Sequence, residues 1–452
     1  MTDWRAKLCT APIGGMDFPA AITESLREAR RRTISLVDDL NDKQMMGPRL
    51  EIVNPLLWEI GHVAWFQEYW ILRHLNRRPS ILEKGDALYD SAKVAHETRW
   101  NIPLLSRMSV QSYMQEVLER VIDLYGAAKE YDDDAAYFLS LALLHEDMHD
   151  EAFTYTRQTL GYPQPSFDGA VRQSTERFDA EKLGDALIPG GRFLRGSMSN
   201  HHFVFDNEMD ANEVEIEPFA ISRTAVTNSE FAAFVDEGGY QRKEFWSDAG
   251  CRWRESSDAR HPVYWQRQGN QWLRRNFDEL VALEDHLPVL HVNWYEADAF
   301  CRWAKRRLPT EAEWEMAASA EPIADGQGMG GHKRKFPWGD DSPTPECANL
   351  DWRTMGCTDV RALREGDSAF GCRQMIGNVW EWTASDFNPY PGFVPGAYKE
   401  YSAPWFGDHK VLRGGCWTTR SRLIHNAYRN FYKPDRGDVW AGFRTCALQE
   451  VA

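Results

Sequence analysis

The sequence has no uninterrupted apolar stretch of about 18 residues, the length a helix needs to cross a bilayer, and its opening MTDWRAKLCTAPIGG lacks the apolar run of a secretory signal. Both absences predict a cytoplasmic protein with no membrane partner. Positive charge is in deficit: 52 Lys and Arg stand against 68 Asp and Glu, a formal net charge of −16, and no basic tail offsets it. A chain of that sign repels a phosphate backbone, which argues against nucleic acid as a partner. Eight cysteines are scattered through the chain without a CxxC pair, so neither a disulfide scaffold nor a thiolate zinc site is expected and the thiols are read as reduced. No repeat of fixed period and no low-complexity segment is present.

With 452 residues the chain is too long for one hydrophobic core, and two domains are expected. Hydrophobic residues at 43% and charged residues at 27% give the balance of a globular protein rather than a disordered one. From about Phe18 to Gly161 glycine is rare and the apolar spacing predicts four helices, through ITESLREARRRTISLVDDL, LLWEIGHVAWFQEYWILRHL, SVQSYMQEVLERVIDLYGAA and AAYFLSLALLHEDMHDEAFTYTRQTL. Pro55 stands just before the second, where its missing N–H costs nothing. The pattern breaks at Pro163, Pro165 and Gly169, which marks a linker. Beyond it, short strand-like pieces such as FLRGSM and VEIEPFAISRTAV alternate with turns and two short helical segments. The 19 tryptophans, many in Gly- or Pro-bounded segments of this half, suggest an irregular fold pinned by large aromatic plugs. The expected fold class is therefore α plus α+β: a four-helix bundle over 1–165, a linker over 166–184 and a mixed domain over 185–452.

His145 and His149 stand four apart on the predicted fourth helix, so both imidazoles leave the same face and can reach one ion. The plain alternative is a pair of hydrogen-bonded histidines beside Glu146 and Asp147. His62 adds weight, because it interrupts the apolar segment IGHVAWFQEYW, where an unpaired ring is costly to bury. Three neutral imidazoles suit zinc, iron, copper or nickel and leave coordination positions open. Residue chemistry alone does not choose among these metals.

In the second half RLPTEAEWE, FPWGD, GNVWEWT, VLRGGCW and AGFR follow one another between Arg307 and Arg444. In that order they resemble the formylglycine-generating-enzyme-like domains, which have a C-type-lectin-like fold. The cysteines that bind copper in those enzymes correspond to Thr419 and Ile424 here, so that chemistry is not expected. The N-terminal part resembles DinB-like bundles, and NPLLWEIGHVAWFQEYW with HEDMH is similar to the ergothioneine sulfoxide synthase (EgtB) family, which joins both domains in this order. The resemblance implies that His62, His145 and His149 hold a non-haem iron(II), Fe(2+), with dioxygen, O2, as co-substrate. It further implies that a thiol is joined to the imidazole carbon of hercynine, N-trimethylhistidine.

A family tyrosine in a Tyr-x-x-Tyr segment corresponds to AYKEYSAPWF, which gives Tyr398 the catalytic role and puts Tyr401 beside it. Asn430 is expected at the hercynine end, and Phe431, Trp417, Trp380 and Trp382 are aromatic candidates for its permanent cation. Arg99, within VAHETRW, is a candidate for a donor anion or sugar oxygen, with a surface salt bridge as the ordinary alternative. The mycobacterial type, which uses gamma-glutamylcysteine, has Asn-Trp-Asp where Asn430, Phe431 and Tyr432 stand, and a glutamine where Met148 stands. With the carboxylate missing at Tyr432, the segment YRNFYKPDRGDVWAGFRTCA looks most like the branch that includes selenoneine synthase, whose donor is a selenosugar. The readings set beside this one are an ergothioneine-type synthase using cysteine or gamma-glutamylcysteine, a DinB-like zinc thiol transferase, and a binding module without catalysis.

Overall fold

A computed structural model describes residues 18–167, 183–197, 203–323 and 328–448. The described chain forms two compact units: residues 18–167 with 203–205, and residues 183–197 with 206–448. Most of the predicted linker, like Cys9, lies outside the described residues.

The first unit is helical, with α1 Phe18–Ser35, α2 Asp42–Met46, α3 Leu56–Gln67, α4 Gly85–Tyr89, α5 Arg107–Tyr125 and α6 Asp133–Leu160. The four long helices fall on the four predicted segments, and α2 and α4 are short additions. After Gln67, α3 widens into a π-helical stretch, Glu68–Leu75, which closes on an i→i+5 bond from Asn76 N to Ile71 O (3.2 Å). Helix α6 starts where the Asp132 side chain accepts the Ala135 N–H and stops at Gly161, whose φ of 64° only glycine adopts without cost. Helix α3 packs against α5 and α6, and α1 against α6. A buried ion pair, Arg30 Nε to Glu146 Oε1 at 2.8 Å, ties α1 to α6, and the Thr33 hydroxyl lies 2.9 Å from Glu146 Oε1 and 2.7 Å from Asp150 Oδ1. Phe203 packs on Tyr137 of α6 at 5.3 Å, so residues 203–205 belong with the bundle.

In the second unit the strands are β1 Asp185–Ile188, β2 Gly191–Arg195, β3 Asn212–Ile216, β4 Phe219–Ser222, β5 Trp265–Gln268, β6 Gln271–Asn276, β7 Glu279–Ala282, β8 Arg306–Arg307, β9 Ala320–Pro322, β10 Met329–Lys333, β11 Trp380–Asp386, β12 Lys410–Arg413, β13 Asn430–Tyr432, β14 Ala441–Gly442 and β15 Cys446–Ala447. Helices α7 Asn228–Asp236, α8 Asp248–Ser257, α9 Trp294–Trp303 and α10 Glu311–Ser319 lie among them. Two four-stranded sheets, ordered β1-β4-β15-β8 and β13-β12-β11-β14, carry the core, with smaller sheets β2-β3, β9-β10 and β5-β6-β7 around them.

The sequence motifs explain how so little regular structure stays in place. RLPTEAEWE forms α10: Thr310 and Glu313 make a reciprocal cap, Glu315 meets Arg413 at 2.6 Å, and Glu311 meets Arg429 at 2.9 Å. Glu381 of GNVWEWT meets Arg444 of AGFR at 2.6 Å and accepts the Trp314 indole N–H at 2.7 Å. None of the six side chains in these three ion pairs is more than 5% exposed. Gly414 turns at φ 95°, and a Cβ there would meet Met375 O at 2.4 Å.

Candidate metal centre and substrate loop

Three imidazoles meet inside the helical unit. His62 on α3 and His145 and His149 on α6 each present one ring nitrogen, and these atoms lie within 4.8 Å of one another. The ring centroids are 5.1 Å (His62–His145), 5.0 Å (His62–His149) and 4.6 Å (His145–His149) apart. The i, i+4 spacing supplies the pair and the packing of α3 on α6 brings the third ring to it.

Aromatic walls fix the rings. Trp58 stacks on His62 at 4.9 Å from the same helix, and Phe66 lies flat on His145 at 3.6 Å. The Nδ1 of His62 sits 2.7 Å from Tyr89 O, an arrangement that makes Nδ1 the protonated nitrogen and leaves Nε2 as the lone-pair donor. Gly61 makes this tie possible, because a Cβ at that position would stand 2.2 Å from the Tyr89 ring. The Nδ1 of His149 is buried without a hydrogen bond and faces Glu59 Oε1 at 3.9 Å.

Burial lowers the pKa of His62 to about 4, only partly countered by the Tyr89 carbonyl. It holds His145 and His149 well below the usual range too, with the neighbouring rings adding to the effect. All three rings are therefore neutral near pH 7 with lone pairs available, and the donor set fits a divalent transition metal. Burial also raises Glu59 to about 7, against the lowering effect of its Asn54 hydrogen bond.

In the second unit Tyr398 is half-buried and immediately precedes a short 3-10 turn, Lys399–Tyr401. Its ring lies 6.1 Å from that of Tyr401, whose hydroxyl is 3.1 Å from the Tyr428 hydroxyl. Ser402 donates to Asp206, which also accepts the Gly396 N–H at 3.0 Å, so both ends of the tyrosine loop are moored to one carboxylate. Phe431 stacks on Phe387 at 3.9 Å and stands edge-on to Tyr401 at 5.7 Å. Asn430 Oδ1 accepts the Phe431 N–H, and Tyr432 packs under Arg436 at 5.1 Å. Tyr398, Tyr401 and Phe431 thus form one neighbourhood, with Asn430 next to Phe431 on β13.

This chain matches the DinB superfamily over residues 25–152 and the Sulfatase-modifying factor enzyme 1-like domain over residues 172–448. It is 34% identical to the hercynine oxygenase of Mycolicibacterium smegmatis over 94% of this chain and 97% of the relative. With the hercynine oxygenase of Mycolicibacterium thermoresistibile it shares 35% identity over 94% of each chain. The chain belongs to the hercynine oxygenase family. The formylglycine-generating enzyme of Streptomyces coelicolor, 31% identical over 58% of this chain, is a relative through the second unit. Family membership makes the chain an enzyme, an oxidoreductase, and sets aside both the zinc thiol transferase and the binding module.

Other residues singled out from the sequence lie in this member of the hercynine oxygenase family as follows. Trp417 is 1% exposed and packs edge-on against Trp440 at 5.0 Å, while Trp380 and Trp382 are equally buried. All three are buried aromatic plugs in this structure. Arg99 is buried, lies over the Trp58 ring at 3.8 Å, and donates to Asn54 Oδ1 (2.7 Å) and Val94 O. Its guanidinium supports the wall behind His62. Met148 is half-buried beside His149. Sequence reasoning missed Trp58, Glu59, Phe66, Tyr89 and Tyr428. The first three stand three or four residues from His62 on one helix face, a spacing that would have found them. Tyr89 acts through its carbonyl, and no residue type announces that.

Among the described residues no helix is long and apolar enough to cross a membrane.

Proposed function

We propose that His62, His145 and His149 hold one iron(II), that dioxygen is the co-substrate, and that the enzyme joins a chalcogen donor to the imidazole carbon of hercynine, with a selenosugar as the donor. One observation carries the first part: three neutral imidazoles converge in a chain similar along 94% of its length to hercynine oxygenases. Bound there, iron(II) would supply the electron-transfer chemistry that lets dioxygen react with a closed-shell donor.

The rest falls to the protein's own side chains. Tyr398 holds a proton at its hydroxyl on a loop moored at Asp206 and serves as the acid of the reaction. Asn430 and Phe431 take the hercynine end, the amide by hydrogen bonding and the ring by facing the trimethylammonium cation. The case for a selenosugar rests on Tyr432 standing where the gamma-glutamylcysteine-using type has a carboxylate: a phenol packed under Arg436 offers a neutral, hydroxyl-rich donor a hydrogen bond and a flat face. The second reading, a thiol donor as in ergothioneine-type synthases, is favoured by the mycobacterial relatives at 34–35% identity.

Anaerobic iron-loaded enzyme is mixed with hercynine and, separately, a selenosugar, cysteine or gamma-glutamylcysteine, exposed to air and read by mass spectrometry. Product with the selenosugar at a rate well above either thiol is expected. Faster product with a thiol replaces the donor assignment, and consumption of hercynine with none of the three overturns both.

A further inference from the structure

The three imidazoles are not held alike. His62 is pinned by the Tyr89 carbonyl, and the carbonyl settles which nitrogen carries the proton. His149 has no such bond: its buried Nδ1 looks at a carboxylate oxygen 3.9 Å away, too far for a hydrogen bond and too near for a water between. That oxygen belongs to Glu59, which is 3% exposed and three residues before His62 on the same face of α3.

Glu59 is itself held from behind. Its Oε1 accepts from Asn54 Nδ2 at 2.8 Å, and Asn54 Oδ1 accepts from Arg99 Nη1 at 2.7 Å. Arg99 in turn is fixed by Val94 O and by the face of Trp58, the ring stacked on His62. The other carboxylate oxygen, Oε2, is buried with no hydrogen-bond partner. A buried carboxylate left half unsatisfied, next to an imidazole nitrogen equally unsatisfied, costs free energy that a hydrophobic residue of the same size would avoid. The His149 deficit vanishes if the ring swings by about an ångström onto Oε1, which keeps a lone pair beyond the one Asn54 uses, a distance set by the excess of 3.9 Å over a normal bond.

We propose that Glu59 is a positioning residue for His149: its carboxylate accepts the imidazole Nδ1–H, which turns Nε2 toward the shared metal position, and Arg99 through Asn54 keeps the carboxylate in place. The inference rests on the metal-site reading given above. It assigns opposite partners to two ligands, a neutral carbonyl for His62 and an anion for His149. The anion makes the His149 imidazole the stronger electron donor of the two.

The test uses the full chain, stripped of metal and titrated with cobalt(II), with affinity read from the visible absorption of the bound ion and folding from thermal unfolding. Glu59→Gln keeps the side chain's shape and an acceptor for Asn54 but loses the charge, and Glu59→Leu loses the acceptor as well. Cobalt binding weakened about 10-fold in E59Q and toward about 100-fold in E59L, the span usual for partners behind metal-bound histidines, is the expected result, with E59Q melting within a few degrees of the unmutated protein. A residue that only filled space would leave E59Q unchanged. Unaltered cobalt affinity in folded E59Q overturns the proposal even if E59L fails to fold. Absence of cobalt binding in the unmutated chain overturns the metal site itself and the Glu59 role with it.

Discussion

The two units place their chemistry on different kinds of support. In the helical unit all three histidines sit inside long helices, with Trp58 stacked on His62 and Phe66 flat on His145. In the second unit Tyr398 and Tyr401 lie on an irregular loop, and order comes from buried Arg–Glu pairs and from Ser402 and Gly396 moored to Asp206. Helices fix a constellation to within a fraction of an ångström, which a metal demands. Loops on a pinned scaffold tolerate exchange of side chains, as donor choice demands. Under the proposed function, metal geometry would fall to one unit and substrate choice to the other.

That division is open to attack at several points. The largest effect is expected from His145→Ala, which removes a ligand while leaving α6 able to form: metal affinity should drop by more than the about 100-fold seen for outer partners, and turnover should vanish with the protein still folded. Calorimetric metal titration beside circular dichroism checks this. Tyr398→Phe should do the reverse, keeping full metal occupancy while product formation falls by about 10²–10⁴-fold or is redirected, as measured by mass spectrometry of the turnover mixture. Unchanged turnover and product would remove Tyr398 from the mechanism.

Breaking a pin in the second unit should cost fold rather than chemistry. Arg444→Met leaves Glu381 as an uncompensated buried charge, a loss of about 3–5 kcal/mol in chemical denaturation, and Glu381→Leu in the same chain should restore much of it. Gly61→Ala is smaller and falls on both properties. Its Cβ must displace the Tyr89 ring, at about 1–3 kcal/mol, and with the ring goes the carbonyl that orients His62, so metal affinity should fall with stability.

A pH slope closes the series. In the metal-free protein the His62 pKa is lowered to about 4 against an ordinary 6.5, so between those values the unfolded chain binds a proton that the folded chain refuses. Stability contributed by His62 is present above about pH 6.5 and is lost as pH falls toward about 4. Urea unfolding at a series of pH values should show a shallower decline for His62→Gln, by up to one proton.

The helical half was readable because helix formation and metal spacing obey the same periodicity: four apolar segments appear as α1, α3, α5 and α6, and the HxxxH pair converges with His62. What stayed hidden acts through backbone or long-range packing. The Tyr89 carbonyl, the π-helical widening after Gln67 and the attachment of residues 203–205 to the bundle leave no mark in residue type. In the second half the motifs named the fold but gave a weak guide to side-chain roles. Trp417, Trp380 and Trp382, each read singly, suit core packing more readily than a cage, and all three are buried. Arg99 was ambiguous for a similar reason, since the carbonyl and the indole that claim it come from residues whose types do not advertise a partner.

Anaerobic iron(II) titration of the metal-free chain and of His62→Ala, each followed by calorimetry, tests the convergence of the three rings on one ion most directly. One iron per unmutated chain, and none held at the same concentration by the folded variant, is the result this account predicts. Equal iron binding by the two proteins would contradict it.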